Sequence, residues 1–188
     1  MPKILIQQNK LVSYNGSILA GDIISAPPIT YTDEQYFTFD SQSQMITDYN
    51  VSGGLNVVIP PTINGVPVLY IGASAFSSKG LTGIVLPEGL IFIDELAFAS
   101  NDLTSLEIPS TVTGLGTMIA GSNYNLTQLS FASGSQVEEI GDYAFHECPI
   151  ESLSLPPTVK YIGDWAFSKN NISGTVTIPN GIIKVGRQ

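Results

Sequence analysis

A single cysteine, Cys148, stands in a chain of 188 residues. It excludes an intrachain disulfide and any zinc site built from several thiolates, and it is silent about redox compartment. Charge is scarce as well. Asp, Glu, Lys and Arg make up 12% of the residues, about half the usual share. The basic side is the thinner one, with 7 Lys and Arg against 16 Asp and Glu, a net charge of −9 and one arginine, Arg187. No basic cluster is available to neutralise phosphates, which excludes nucleic acid as a partner class. The same deficit argues against docking on anionic membranes. No run of about 18 apolar residues occurs, so no membrane insertion is expected. The opening stretch MPKILIQQNKLVSYNGSILA does not read as a secretory signal, because its apolar run ends after Ile4-Leu5-Ile6. With one histidine, His146, any Ser-His-Asp arrangement would have to use it.

What the chain has in quantity is apolar residues, 43%, together with 18 Gly and 12 Pro, a composition that suits many short strands joined by turns. A phrase returns about every 22 residues, a period that marks a stacked repeat protein. It reads Ile71-Gly72-Ala73-Ser74-Ala75-Phe76, then Ile93-Asp94-Glu95-Leu96-Ala97-Phe98. It comes back as Ile140-Gly141-Asp142-Tyr143-Ala144-Phe145 and Ile162-Gly163-Asp164-Trp165-Ala166-Phe167. Between phrases lies a strand of the form Leu-x-x-Leu-x-Leu/Ile, usually closed by Pro, as in Leu81 to Leu86-Pro87 and Leu103 to Ile108-Pro109. Alternating residues such as Ile84 and Leu86 point inward, and Gly83 and Val85 outward. The phrase itself is short enough to read as a turn or 3₁₀ segment. Its Gly allows backbone to pass where a Cβ would clash, and its Phe stacks on the Phe of the next coil.

Two irregularities interrupt the array. The third unit, Leu115-Gly116-Thr117-Met118-Ile119-Ala120, has no Phe, so Met118 or Ile119 is expected to fill that space. Added residues around Gly134-Ser135 predict a longer turn. At the far end, Val185-Gly186 begins another phrase and leaves an uncovered coil, to be met by further chain or by another covering element.

The organisation follows from these patterns. Residues 1–25 read as a small β-meander around the favoured hairpin turn Asn15-Gly16. Residues 26–35, containing Ala26-Pro27-Pro28, read as a linker. Residues 36–53 read as a β-hairpin covering the first end of the stack, and 54–188 as repeats.

The unit Ile-Gly-x-x-Ala-Phe…Leu-x-x-Leu-x-Leu-Pro closely resembles the BspA-like, or Treponema pallidum-type, leucine-rich repeats. Phe145-His146-Glu147-Cys148 resembles the family's Phe-x-x-Cys, which implies a Cys packed inside, with Asn101 and Asn170 in the same slot. Phe131-Ala132-Ser133-Gly134-Ser135 looks like the family's longer-turn variant. The resemblance implies a mostly β, right-handed leucine-rich-repeat solenoid with one short parallel strand per repeat. It also implies an extracellular or cell-surface adhesion protein that binds protein or glycan.

Catalytic and metal readings carry less. His146 occupies a variable repeat slot and is expected to face solvent. Gly72-Ala73-Ser74 begins like a nucleophile elbow but continues to Phe76 in place of glycine. Asp142 and Asp164, with Glu95 in the same slot, could form a carboxylate ladder for Ca²⁺, but no calcium-loop pattern accompanies them, and solvated surface charges are the plainer reading. The expectation is a non-enzymatic module without a cofactor. Its candidate ligand-binding residues lie on the outward face of the strands: Ser105, Glu107, Gln128, Ser130, Ser152, Ser154, Thr175 and Thr177. Small polar residues also suit a crowded parallel sheet that binds nothing, and both readings stand. The alternative function is a structural or receptor-binding component of a phage or phage-tail-like particle, attached to other structural proteins through residues 1–25.

Overall fold

The computed structural model describes residues 28–187, together with the backbone of three strands nearer the start. The chain divides into two compact units, Met1–Thr30 and Tyr31–Gln188. In the first, β1 (Leu5–Gln7), β2 (Lys10–Val12) and β3 (Ile18–Asp22) form an antiparallel sheet in the order β1-β2-β3. The Asn15-Gly16 turn lies outside the described residues.

The second unit begins with residues that the prolines had suggested were linker. Here Thr32 and the backbone of Val58 bond each other through two contacts of 2.9 and 3.0 Å, and Glu34 accepts the Asn64 N–H at 2.7 Å. A 3₁₀ turn follows at Glu34–Tyr36, capped by the Asp33 carboxylate. Next come β4 (Phe37–Asp40) and β5 (Met45–Tyr49), an antiparallel hairpin. Its polar turn is closed by the Asp40 carboxylate, which accepts from Gln42 N–H and Ser43 Oγ–H.

After β6 (Asn56–Val58) and the small hairpin β7 (Thr62–Ile63) and β8 (Val66–Pro67), two kinds of strand alternate along the chain. One kind falls on the phrase: β9 (Tyr70–Ile71), β11 (Phe92–Ile93), β13 (Gly114–Leu115), β15 (Glu139–Ile140), β16 (Tyr161–Ile162) and β17 (Lys184–Val185). The other is the expected Leu-x-x-Leu-x-Leu strand: β10 (Gly83–Val85), β12 (Ser105–Ile108) and β14 (Gln128–Phe131).

The phrase strands are each two residues long, yet they build the larger sheet. Its order is β17-β16-β15-β13-β11-β9-β5-β4, parallel throughout except for the β4–β5 hairpin at its edge. The phrase is therefore strand at its Ile and turn thereafter, and the coils that carry β10, β12 and β14 have strand on two sides. The Leu-rich strands pair only as β6–β10 and β12–β14, with one bridge from Gln128 to Ser152.

The core lies between these two sides. Ile71, Ile93, Leu115, Ile140 and Ile162 are buried in register on one wall. Phenylalanines form a column through the middle, and the hairpin extends it. Ring centroids lie 5.4 Å apart in the stacked pair Tyr49–Phe76, 5.6 Å in the tilted pair Phe76–Phe98, and 5.4 Å in the stacked pair Phe145–Phe167. The third unit breaks the column. Ala120 takes the Phe slot and Ile119, fully buried, replaces the small Ala that precedes it in other coils. Met118 lies outside, where its side chain crowds Gly121.

Glycine in the phrase answers to the neighbouring coil. A Cβ on Gly141 would lie 2.6 Å from the Gly116 backbone, below any real contact distance. Turn geometry is carried by other residues. Ser74, Leu96, Met118, Tyr143 and Trp165 all sit at φ between +52° and +58°, and so do Ser78, Ser100, Ser122, Glu147 and Lys169.

Replacing the fully buried Phe98 by Ala empties a slot packed against Phe76 and is expected to lower stability by about 3–5 kcal/mol. Denaturant unfolding followed by circular dichroism checks this. A loss below about 1 kcal/mol would show that the aromatic column is not a major support.

Candidate binding surface

The outward positions of the Leu-rich strands form two columns. In register, Ser105 neighbours Gln128 and Glu107 neighbours Ser130, and Gln128 bridges to Ser152. All eight sequence-derived candidates are exposed. Ser105, Glu107, Gln128, Ser130 and Ser152 come together through these pairings. Ser154, Thr175 and Thr177 lie around one shallow cleft with Leu153, Leu155 and Pro179, on segments without strand pairing. Toward the start, β10 and β12 make no ladder, and a second cleft opens there between Val85 and Glu107, floored by Ile84 and Pro109. Val85 is 55% exposed at its lip.

The turn that follows each Phe is held from inside by a column of polar side chains. Asn101 Oδ1 accepts the N–H groups of Lys79 and Leu81 at 3.0 and 2.9 Å, and its Nδ2 donates to the carbonyls of Phe76 and Phe98. Asn123 repeats this one coil on, accepting from Leu103 N–H and donating to Phe98 and Ala120 carbonyls. Sequence reading missed Asn123, because its unit lacks the Phe that sets the register. Cys148 holds the next slot, fully buried, with its Sγ–H donating to the Ala120 carbonyl at 3.2 Å. Burial pushes its pKa up to about 11. Asn170 donates to Phe145 O, but its Oδ1 has no partner; Ile150 N–H, the counterpart of the Leu81 N–H that Asn101 accepts, is spent on Cys148 O.

His146 was expected to face solvent, but its side chain is only 18% exposed. Its Nδ1 lies 2.6 Å from Ser168 Oγ on the next coil, and its ring meets Tyr143 edge-on. The nearby Glu147 carboxylate lies 3.7 Å from Nε2. It is engaged by Lys169, Tyr124 and Ser122, and the Lys169 ammonium, then the Tyr124 hydroxyl, hold its carboxyl below the usual carboxylate range. The Asp142 and Asp164 carboxylates accept backbone N–H groups one coil on, from Asp164 and Arg187, which gives both a structural use. Among the described residues no three His, Cys, Asp or Glu side chains gather as a metal site would require. No described helix is long and apolar enough to cross a membrane.

The phrase sheet has an outward face as well, absent from the sequence reading. The residue before each inward Ile or Leu points out, giving the column Tyr70, Phe92, Gly114, Glu139, Tyr161, Lys184. Tyr161 is 41% exposed. The signal was legible: an aromatic residue recurs immediately before the phrase in three units.

With this geometry in view, comparison places the chain among known proteins. The BspA type leucine-rich repeat region matches residues 49–173 and 122–188, in 6 copies. The chain belongs to that family. Solved structures share the fold. The pneumococcal vaccine antigen PcpA is 25% identical with a TM-score of 0.60, over 77% of this chain and 34% of that one. A leucine-rich repeat protein from Eubacterium ventriosum is 18% identical with a TM-score of 0.56, over 80% of this chain and 46% of that one. The T. pallidum leucine-rich repeat protein is 21% identical with a TM-score of 0.51, over 80% of this chain and 72% of that one. The chain thus spans less than half the length of the first two. No curated protein matches it.

Cys148 should be inert in the folded protein, since the thiolate is the reactive form and this thiol stays protonated at neutral pH. A thiol-reactive dye at pH 7.5 is expected to label it only after denaturant is added. Prompt labelling of the native protein would refute the buried placement.

Proposed function

We propose that this chain is a non-enzymatic binding module, displayed outside the cell or at a cell surface, that engages a protein ligand through the hydroxyl-rich face of its Leu-rich strands. The observation behind this reading is the register itself. Ser105 beside Gln128 and Glu107 beside Ser130 present polar groups in fixed columns on a stacked scaffold. Rigid elements place such groups with less ordering cost on binding than loops do. The face carries hydroxyls, one amide and one carboxylate, and no aromatic ring on which a sugar could stack, which favours protein over glycan there. Family membership supports a binding scaffold, and the vaccine-antigen relative supports surface display. The phage-particle reading finds no support among these relatives.

Changing Gln128 and Ser130 to Arg together places two large cations on the centre of the face. Binding of the labelled protein to cells is expected to fall by about tenfold or more, with thermal unfolding unchanged. Unchanged binding would move the interface off this face.

The division of the chain at Thr30 favours keeping residues 1–25 as a separate attachment segment. Removing them should leave cell binding intact while abolishing any assembly seen by light scattering. An unaltered assembly state would end the attachment reading.

A further inference from the structure

The outward face of the phrase sheet carries a second feature of defined chemistry. A shallow groove of about 270 Å³ runs along it, lined by Phe92, Thr117, Glu139, Asp142, Tyr161 and Lys184. The strand register fixes the order of its contents: Phe92, then Gly114, Glu139, Tyr161 and Lys184, one per coil. The two aromatic residues stand three strand spacings apart, about 14 Å. Gly114 shapes one end. A Cβ there would lie 2.8 and 3.0 Å from Cε2 and Cδ2 of Phe92, so the ring occupies the space over Gly114 and lies across the neighbouring strand. Tyr161 is exposed at the other end, and Glu139 sits between the two rings.

Charge narrows the ligand. Two carboxylates, Glu139 and Asp142, face one ammonium, Lys184, and the adjoining Glu138 and Lys160 neutralise each other at 2.7 Å. Phosphates, sulfates and uronates are disfavoured beside two carboxylates. A cationic side chain is disfavoured beside Tyr161, where Lys184 is the register neighbour. The groove is too shallow and too polar to hold a purely apolar ligand. What fits is a neutral, extended molecule with apolar flat faces and hydroxyl edges. Aromatic faces carry negative potential and attract the polarised C–H groups of a pyranose. Asp142 spends Oδ1 on the Asp164 N–H at 2.7 Å, which leaves Oδ2 to accept from a ligand hydroxyl.

We propose that this groove binds a neutral oligosaccharide, with pyranose faces on Phe92 and Tyr161 and ring hydroxyls donating to Glu139 and Asp142. The proposal rests on the reading of the chain as a binding module and adds to it a second face with its own ligand class.

Calorimetric titration with cellotetraose, chitotetraose and α-mannotetraose tests it, with a galacturonic acid oligomer as the anionic control. At least one neutral oligosaccharide is expected to bind with Kd of about 1 mM or tighter. Phe92→Ala and Tyr161→Ala should each weaken it about tenfold. Tyr161→Phe keeps the ring and should retain binding, which separates loss of the site from loss of fold. No binding of any neutral oligosaccharide, preference for the anionic oligomer, or indifference to both alanine variants overturns the proposal. If no neutral oligosaccharide binds and the paired Gln128 and Ser130 arginine variant loses cell binding, the groove proposal falls and the module reading survives. If cell binding resists glycosidase treatment yet is lost in Tyr161→Ala, the groove holds a protein and the glycan assignment is wrong. If the wild-type chain binds neither oligosaccharides nor cells, both readings fall.

Discussion

Backbone hydrogen bonding from coil to coil is the constraint on which everything else in this protein depends. It runs through both parts of each coil. On the phrase sheet the parallel ladder includes Asp94 N–H donating to Ile71 O at 2.9 Å and Gly116 N–H to Ile93 O at 2.8 Å. The turns add a second ladder. Ser74, Phe76 and Ser78 donate forward to the carbonyls of Glu95, Ala97 and Ala99, and Leu96, Phe98 and Ser100 repeat the pattern one coil on. A turn can offer alternate N–H groups like a strand only if its backbone is rotated at intervals, and the left-handed residues at both ends of each Phe supply that rotation. Buried backbone groups must find partners, and here they find them in the next coil.

Side-chain placement follows from that ladder. Equal positions stack at the spacing of neighbouring strands, so one Phe per coil becomes a column and one Asn per coil becomes a buried row of caps. Exceptions are absorbed locally. Ala120 with Ile119 preserves volume in the unit without Phe. Cys148 interrupts the row of caps, and the row resumes one coil later at Asn170, whose Oδ1 is unpaired. Buried orphan acceptors are uncommon, which makes this the least well-satisfied point of the described interior.

The sequence displayed the period, the core face and the covering hairpin because each depends on apolar residues at fixed spacing. It hid the phrase strands. Two residues such as Tyr70-Ile71 are too few to show alternation, and the pairing that defines them lies in another coil. It hid the left-handed turns too. Leu96, Met118, Tyr143 and Trp165 are residue types that carry no turn signal, and only the forward hydrogen bonds explain their conformation. The eight hydroxyl-face candidates were legible as exposed positions of alternating strands, whereas the broken ladder between β10 and β12 was not, since both segments carry the same pattern. The second groove leaves only a faint trace in the sequence, because the position before the inward Ile holds an aromatic in three units but Gly114, Glu139 and Lys184 in others.

A Cβ at Gly141 would lie 2.6 Å from the Gly116 backbone, so glycine there lets the coils close to the distance their hydrogen bonds set. The columns on both faces therefore share one ruler, set by peptide geometry and indifferent to the surface residues written on it. Whole turns of chain can be duplicated or deleted and every column lengthens or shortens by one identical step. Such a protein changes its reach without re-inventing its grip.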